Sequence, residues 1–296
     1  MEFGKITDED LSNVQFNLPA DSPETSRILS ALPREKPSVY VGCAKWGRKD
    51  WIGKIYPKGT KESDFLSLYA KNFNSIELNA TFYKLPSFKQ AQEWSSKVGK
   101  DFLFSPKISN SISHIHRLKN TSERMEYFLK GISGFGANLG PVFLMLHPGM
   151  GPKSLDTIEA FLQAIPKDIR VFVEMRHEGW FENTESSEAI FQMLERNKVG
   201  AVITDVAGRR DCVHMRLTTG EAFIRFVGND LHPTDYTRVD EWIMRIKQWM
   251  DAGLSRVYFF LHENEEVHSP VIAKYAIEQF NKHCGTNLPV PVFVGD

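Results

Sequence analysis

Residues 171–180 read VFVEMRHEGW. The stretch opens as a buried β-strand, with Val171, Phe172 and Val173, residue types that pack well on a pleated surface. It ends in Glu174, Arg176, His177 and Trp180. Successive strand residues face opposite sides. Phe172, Glu174 and Arg176 therefore share one face, and Val171, Val173 and Met175 the other. A strand apolar on both faces that turns polar on one face at its C-terminal end predicts a helix-covered parallel sheet with a site at the strand ends.

The same pattern recurs outward from this stretch. Apolar runs occur at 39–44 (VYVGCA), 75–79 (SIELN), 102–107 (FLFSPK), 141–146 (PVFLML), 170–175 (RVFVEM), 200–205 (GAVITD), 222–227 (AFIRFV) and 256–261 (RVYFFL). The segments between them carry helical spacing. KESDFLSLYAKNF sets Phe65, Leu68, Tyr69 and Phe73 on one face, and HPTDYTRVDEWIMRIKQWM does the same with Val239, Ile243, Ile246 and Met250. SLDTIEAFLQAIP and SEAIFQMLERNK are shorter versions, and 206–221 reads as an irregular loop. Eight strands alternating with helices predict an α/β protein, a single-domain (β/α)8 TIM-like barrel, a fold of typically about 250 residues. An open doubly wound sheet uses the same alternation, but no G-x-G-x-x-G follows the first strand and no P-loop is present. The expected organisation is an N-terminal extension over 1–38, with a short helix near 22–32, a barrel over 39–283 and a tail over 284–296.

The 296 residues are 42% hydrophobic and 25% charged, with a formal net charge of -1. That balance gives no global pull toward DNA or an anionic membrane. No apolar run is long enough to span a bilayer, and MEFGKITDED lacks the basic and apolar regions of a secretory signal. Cys43, Cys212 and Cys284 form neither a disulfide framework nor a CxxC pair. The expectation is a cytoplasmic protein with reduced thiols.

Strand parity then sorts the polar residues. Glu77 shares a face with Ser75 and Asn79, Lys107 with Ser105, and Glu174 with Arg176. Arg225 aligns with Phe223, and His262 and Asn264 align with Tyr258 and Phe260. Asp205 aligns with Ile203 and Ala201 and is grouped with the others. Charges of both signs converging at one rim can pair with each other and with a ligand, where a lone charge would be costly. The set Glu77, Lys107, Glu174, Arg176, Asp205 and Arg225 therefore predicts a functional pocket.

The blocks VGCAKWGRKDWIGKIYP, FNSIELNATFYKLPS, SHIHRLKN and VEMRHEGWF also carry a resemblance. From about Val39 to about Phe280 the chain is similar to the YecE-like family, domain-of-unknown-function family seventy-two. The resemblance implies a (β/α)8 barrel and no particular reaction. It highlights Trp46, Trp51, Glu77, Asn79, Phe82, Tyr83, Lys107, His114, Leu118, Glu174, Arg176, His177, Trp180, Asp205, Arg225 and Asn264. LHPGM after the fourth strand, RFVGN after the seventh and HEN after the eighth depart from the Gln-Pro-Pro turn, Arg-Leu-His-Gly and Asn-Asn pair usual in relatives. The resemblance thus implies shared architecture more than shared specificity.

The chemistry follows from these residue types. Glu77 and Glu174 are candidate general base and acid, since paired carboxyls in unlike environments can split their pKa values. His114 is a candidate for proton transfer, and Asp205 completes the catalytic set. Lys107, Arg176 and Arg225 suit a phosphate or carboxylate. Trp46, Tyr83 and Trp180 suit the flat face of a sugar or base, with Asn79, His177 and Asn264 as further ligand contacts. A hydrolase or other acid/base enzyme on a sugar- or phosphate-containing small molecule is the leading expectation. The alternative is ligand or nucleic-acid binding without turnover, for which HIHRLKN and GRKDW supply basic and aromatic character. The expected partner is a small polar or anionic ligand, with nucleic acid less favoured and no membrane. His147, Asp205, His262, Glu263 and the paired carboxylates are sensible donors for a divalent metal. No HExxH or other compact motif appears, and the interleaved cations oppose one. No cofactor is assigned, and the oligomeric state stays open.

Overall fold

The computed structural model describes residues 3–295. Residues 1, 2 and 296, the ends of the expected extension and tail and the start of the segment read for a signal, lie outside the described residues. The chain begins with helices α1 (Asp8–Leu11) and α2 (Pro23–Ser30). Strands and helices then alternate: β1 (Ser38–Gly42), α3 (Phe65–Asn72), β2 (Ser75–Leu78), α4 (Ala80–Tyr83), α5 (Phe88–Ser95) and β3 (Leu103–Pro106). The series continues with α6 (Ser122–Ile132), β4 (Val142–Met145), α7 (Leu155–Gln163), β5 (Val171–Glu174), α8 (Thr184–Arg196) and β6 (Gly200–Asp205). It ends with β7 (Glu221–Val227), α9 (Pro233–Ala252), β8 (Arg256–His262) and α10 (Ser269–Cys284). Each of the eight apolar runs forms a strand, and 206–220 is a loop with one short turn at Arg210–Cys212.

Local chemistry sets several helix boundaries. The Asn183 side chain accepts from Ser186 N at 2.8 Å and starts α8. Pro233 opens α9, where its fixed φ and missing N–H cost nothing. Gly253, at φ 123°, and Gly285, at φ 64°, end α9 and α10 in conformations that residues with a Cβ seldom adopt.

The architecture is mixed α/β with every strand pairing parallel. Six strands form one sheet in the order β1-β8-β7-β6-β5-β4, and β2 and β3 form a second. Eight parallel strands alternate with helices as expected, but they form two sheets and do not close into the single barrel the sequence predicts. At one seam, Ile108 N donates to Phe143 O at 2.9 Å beside an isolated Lys107–Phe143 bridge. At the other, Glu77 N donates to Cys43 O at 3.1 Å, and the Asn74 side chain spans the gap. Its Oδ1 accepts from Val41 N and its Nδ2 donates to Val39 O, both at 2.8 Å. The chain passes so closely here that a Cβ on Gly42 would overlap Ser75 O. At these seams isolated backbone bonds and the Asn74 side chain stand where the ladder is interrupted.

Two apolar clusters separate the faces. The large one lies between strands and helices and includes Val41, Ile76, Val173, Ile203, Ile224 and Phe259. The small one lines the inner face with Leu103, Phe143, Phe172, Val202, Phe223, Tyr258 and Phe260, flanked by Tyr40. Gly200 completes this inner floor, because a methyl there would overlap the Phe172 ring.

The segment from Leu18 to Asp21 packs against the outer helix α9. Leu18 N donates to Glu241 Oε1 at 2.8 Å, and Arg245 pairs with Asp21 at 2.6 Å. The last residues fold back, with Val292 N donating to Asn72 Oδ1 at 3.0 Å and Val294 N to Lys54 O at 2.6 Å. Among the described residues, no helix is long and apolar enough to cross a membrane. Cys43, Cys212 and Cys284 are unpaired.

Candidate functional site

Above the aromatic floor the inner face turns ionic. Register sets the level: Thr204 lies beside Arg225, Met145 beside Glu174, and Glu77 beside Ser105. Arg225 is the hub. Its Nε and Nη2 donate to Glu77 at 2.7 and 2.8 Å, and its Nη1 donates to Glu174 Oε1 at 2.8 Å. The same Glu174 oxygen accepts from Arg176 at 2.6 Å and from Thr204 Oγ1 at 2.7 Å. His262 Nε2 approaches Glu77 Oε2 at 3.2 Å, and its Nδ1 approaches Glu266 Oε1 at 3.4 Å. Asn79 donates to Glu77 Oε1 at 2.7 Å.

These groups are buried, so their charges are fixed by one another. Burial alone would raise the Glu77 carboxyl, but Arg225 and His262 outweigh it and hold it well below the usual range. Glu174 likewise resists burial through Arg176, Arg225 and Lys107 and falls to about 2. His262 is raised, because Glu77 and Glu266 overcome the desolvation that would lower it. Both carboxylates are therefore held ionised near neutrality.

Lys107 behaves differently. It is 7% exposed, and among the described residues it is the only buried lysine. Its Nζ lies 4.5 Å from the Phe82 ring centroid and 5.6 Å from that of Phe143. No carboxylate lies within 4.0 Å of it among the described residues. Burial, then the nearby Arg225 charge, lowers it to about 8, with Glu174 and Glu77 opposing only in part.

The cluster opens into a cavity of about 770 Å³ whose walls include Asn79, Phe82, Tyr83, Lys107, Arg176, Arg225, His262 and Asn264. Lys45, Arg48 and Glu265 also line it. Tyr83 is 79% exposed there. Phe3 also lines the cavity, its ring 3.7 Å from the Arg176 guanidinium carbon. A larger open groove, about 1130 Å³, runs between α6 and α7, away from the strand ends and from every charge of the cluster.

The structure brings Glu77, Glu174, Lys107, Arg176, Arg225, Asn79, Tyr83 and Asn264 to this one place. Other expected site residues stand elsewhere. Asp205 points to the helix side, which corrects its grouping with the rim charges. There it accepts from Arg238 at 2.7 Å and from Trp242 Nε1 at 2.6 Å, and it pairs with Arg210. Strand parity with Asp205 expects Ala201 and Ile203 on the inner face, whereas Val202 and Thr204 occupy it. Trp180 is fully buried with its Nε1 donating to Met150 O at 2.9 Å, a core residue and not a cavity wall. Trp46 packs edge-on against Trp94 and Phe104. His177 Nδ1 accepts from Gly179 N at 2.9 Å and shapes a turn.

His114 sits on a π turn, Ser111–Ile115, edge-on to Phe82 at 5.0 Å and 5.2 Å from the His147 ring. Burial, then the charges of His147 and Lys107, lowers it to about 4, so it is neutral near pH 7. Sequence reasoning missed Phe3, Thr204 and Glu266. Parity on β6 could have found Thr204, but nothing in the first residues marks Phe3. Among the described residues, no group of three His, Cys, Asp or Glu side chains converges as a metal ion requires.

Comparison with known proteins agrees with the fold. The family model described as "Protein of unknown function DUF72" matches residues 40–292. The UPF0759 protein YecE of Escherichia coli K12 is 27% identical over 262 residues, covering 82% of this chain and 93% of that protein. A crystal structure of a DUF72 family protein from Enterococcus faecalis superposes with a TM-score of 0.66 at 15% identity, covering 84% of this chain and 99% of the other. One from Thermotoga maritima gives 0.64 at 23% identity, covering 84% and 100%.

Proposed function

The chain belongs to the DUF72 family, and on that premise we propose that its inner cavity binds a small anionic ligand carrying a phosphate or a carboxylate. One observation carries the reading. Three buried cations, Lys107, Arg176 and Arg225, face two buried carboxylates, Glu77 and Glu174. Arg225 spends its donors on both acids and Arg176 spends one on Glu174, which leaves Lys107 without a carboxylate of its own. A buried uncompensated cation is costly. It can lose its proton or gain an anion, and the cavity gives an anion room to enter.

The acid/base hydrolase is the weaker reading, because both carboxylates are held ionised by arginine and neither keeps a proton to donate. A nucleic-acid backbone offers the same charge as a small phosphate, but the buried cluster favours the smaller group. We also read the two sheets as one (β/α)8 barrel spanning 39–283, preceded by an extension and followed by a tail. The side-chain and isolated backbone bonds at the two seams support that reading. Unpaired thiols favour the cytoplasm.

The test is thermal unfolding of the full chain with inorganic phosphate, citrate or a short oligonucleotide. The proposal expects stabilisation by the small anions, about 2.7 kcal/mol at a hundred times Kd, and its loss in Lys107→Met. No shift with any small anion overturns it.

A further inference from the structure

We propose that Lys107 is a nucleophilic amine, condensing with the carbonyl group of a small oxo acid held in the inner cavity to form an imine. The inference rests on the anion-binding reading and deepens it: the ligand's acid group meets Arg176, which gives Glu174 one donor, and its carbonyl carbon meets Nζ. The position is unusual for a lysine. Other lysines here sit at the surface, as Lys49 does with Glu62 and Lys247 with Asp251. Lys107 instead ends the inner face of the second sheet, between the faces of Phe82 and Phe143, and still lines an open cavity. Aromatic walls and neighbouring guanidiniums disfavour its ammonium form, the environment that activates a lysine for carbonyl chemistry. With its value lowered to about 8, it holds roughly two to three hundredfold more free amine at neutral pH than an ordinary lysine.

The step balances without an oxidant or a reductant. The Nζ lone pair forms a bond to the carbonyl carbon while the carbonyl π pair moves to oxygen, which takes a proton. Nitrogen gives up one of its two protons to leave the neutral carbinolamine, whose hydroxyl departs as water with a second proton as the nitrogen lone pair forms the C=N bond, and loss of the remaining nitrogen proton gives the neutral imine. Amine and carbonyl thus become imine and water. A protonated imine keeps the positive charge where the ammonium had it, near Glu174 and Glu77, the two acids that favour a cation at Lys107.

The experiment traps this species. The full chain is incubated near pH 7 with limiting glyoxylate and sodium cyanoborohydride, then analysed by intact mass and peptide mapping. Hydride reduction of the imine leaves a secondary amine, a mass gain of one glyoxylic acid less one oxygen atom. The expected result is a single adduct on the peptide carrying Lys107, at least tenfold faster than on exposed Lys119, and slowed by inorganic phosphate. It should be absent in Lys107→Arg, with Lys107→Met as a second variant if arginine disturbs folding. Labelling spread evenly over surface lysines overturns the imine. The phosphate melting shift is read on the same protein without glyoxylate, so an intact shift with no adduct removes the imine alone. An adduct that phosphate does not slow, with no melting shift, removes the acid half of the proposal.

Discussion

Arg225 holds Glu77 with two parallel hydrogen bonds, Nε to Oε2 at 2.7 Å and Nη2 to Oε1 at 2.8 Å, although the two residues lie 148 positions apart. Glu77 belongs to the two-stranded sheet and Arg225 to the six-stranded one. The pair therefore ties the two sheets together across the inner face. Removing Arg225 leaves two buried carboxylates without their shared partner, so Arg225→Met is expected to cost about 3–5 kcal/mol in urea unfolding. Arg225→Lys should recover little, since an ammonium cannot reproduce the fork that reaches both acids. A loss below about 1 kcal/mol in both variants would mean that the pair does not hold the sheets.

Glu174→Gln should lower Tm by several degrees, because its Oε1 serves Arg176, Arg225 and Thr204 at once. The carboxyl is depressed to about 2 in the folded chain from 4.5. Its contribution is therefore fully present above about 4.5 and lost as pH falls toward 2. The variant should show a shallower loss of stability over that acid range, and an unchanged acid profile would count against the assignment.

Lys107 sets the opposite dependence for ligands. Its folded value is about 8 against 10.5, so the charged form is disfavoured by folding, and stability should rise as pH climbs from about 8 to 10.5. Phosphate binding needs the proton and should weaken as pH rises through about 8, while imine formation needs the free amine and should speed up. Isothermal titration and trapping rates over one pH series check both, and Lys107→Met should flatten the binding curve.

Phe3 stacks on Arg176 at 3.7 Å and lies 5.1 Å from Arg209. Phe3→Ala should cost up to about 2 kcal/mol for this partly desolvated cation–π contact. It should also speed access to the cavity that Phe3 lines. Stopped-flow binding of phosphate is the measurement, and an unchanged on-rate would show that Phe3 does not restrict entry.

Glu263 provides a control away from the cavity cluster. It is buried and accepts from Asp230 N at 2.7 Å, and burial, then Asp235, raises its carboxyl to about 8. A raised carboxyl means that the folded chain binds more protons between about 4.5 and 8, so stability falls as pH rises through that window. Glu263→Gln should be more stable than the parent at pH 8 and similar at pH 5, by chemical denaturation. Equal pH slopes for the two proteins would refute the assignment.

The contrast between β5 and β6 shows how far the sequence can be read. In β5 the inner face announces itself, because Glu174 and Arg176 interrupt one parity only. In β6 all six residues are buried and the sequence GAVITD offers one polar residue on each parity at its end, Thr204 and Asp205. Charge draws attention to Asp205, yet the partners that satisfy it, Arg238 and Trp242, come from α9, more than thirty residues away. Trp180 fails for a related reason: an indole after a polar strand end reads as a ligand wall until Met150 O is seen to accept its N–H. Strand positions are legible because they depend on local pattern, whereas side-chain partners depend on packing that only the folded chain displays.

Asn74 has a consequence for how the molecule ages. At the seam between β1 and β2 its amide works as a spare peptide group, accepting from Val41 N and donating to Val39 O. An amide has the donor and acceptor that this needs, and a carboxylate has only acceptors. Deamidation at this one position would set an acid oxygen against the Val39 carbonyl and leave the Glu77 N–Cys43 O bond to hold the backbone there. The chemical durability of this seam thus turns on an amide that takes no part in the cavity.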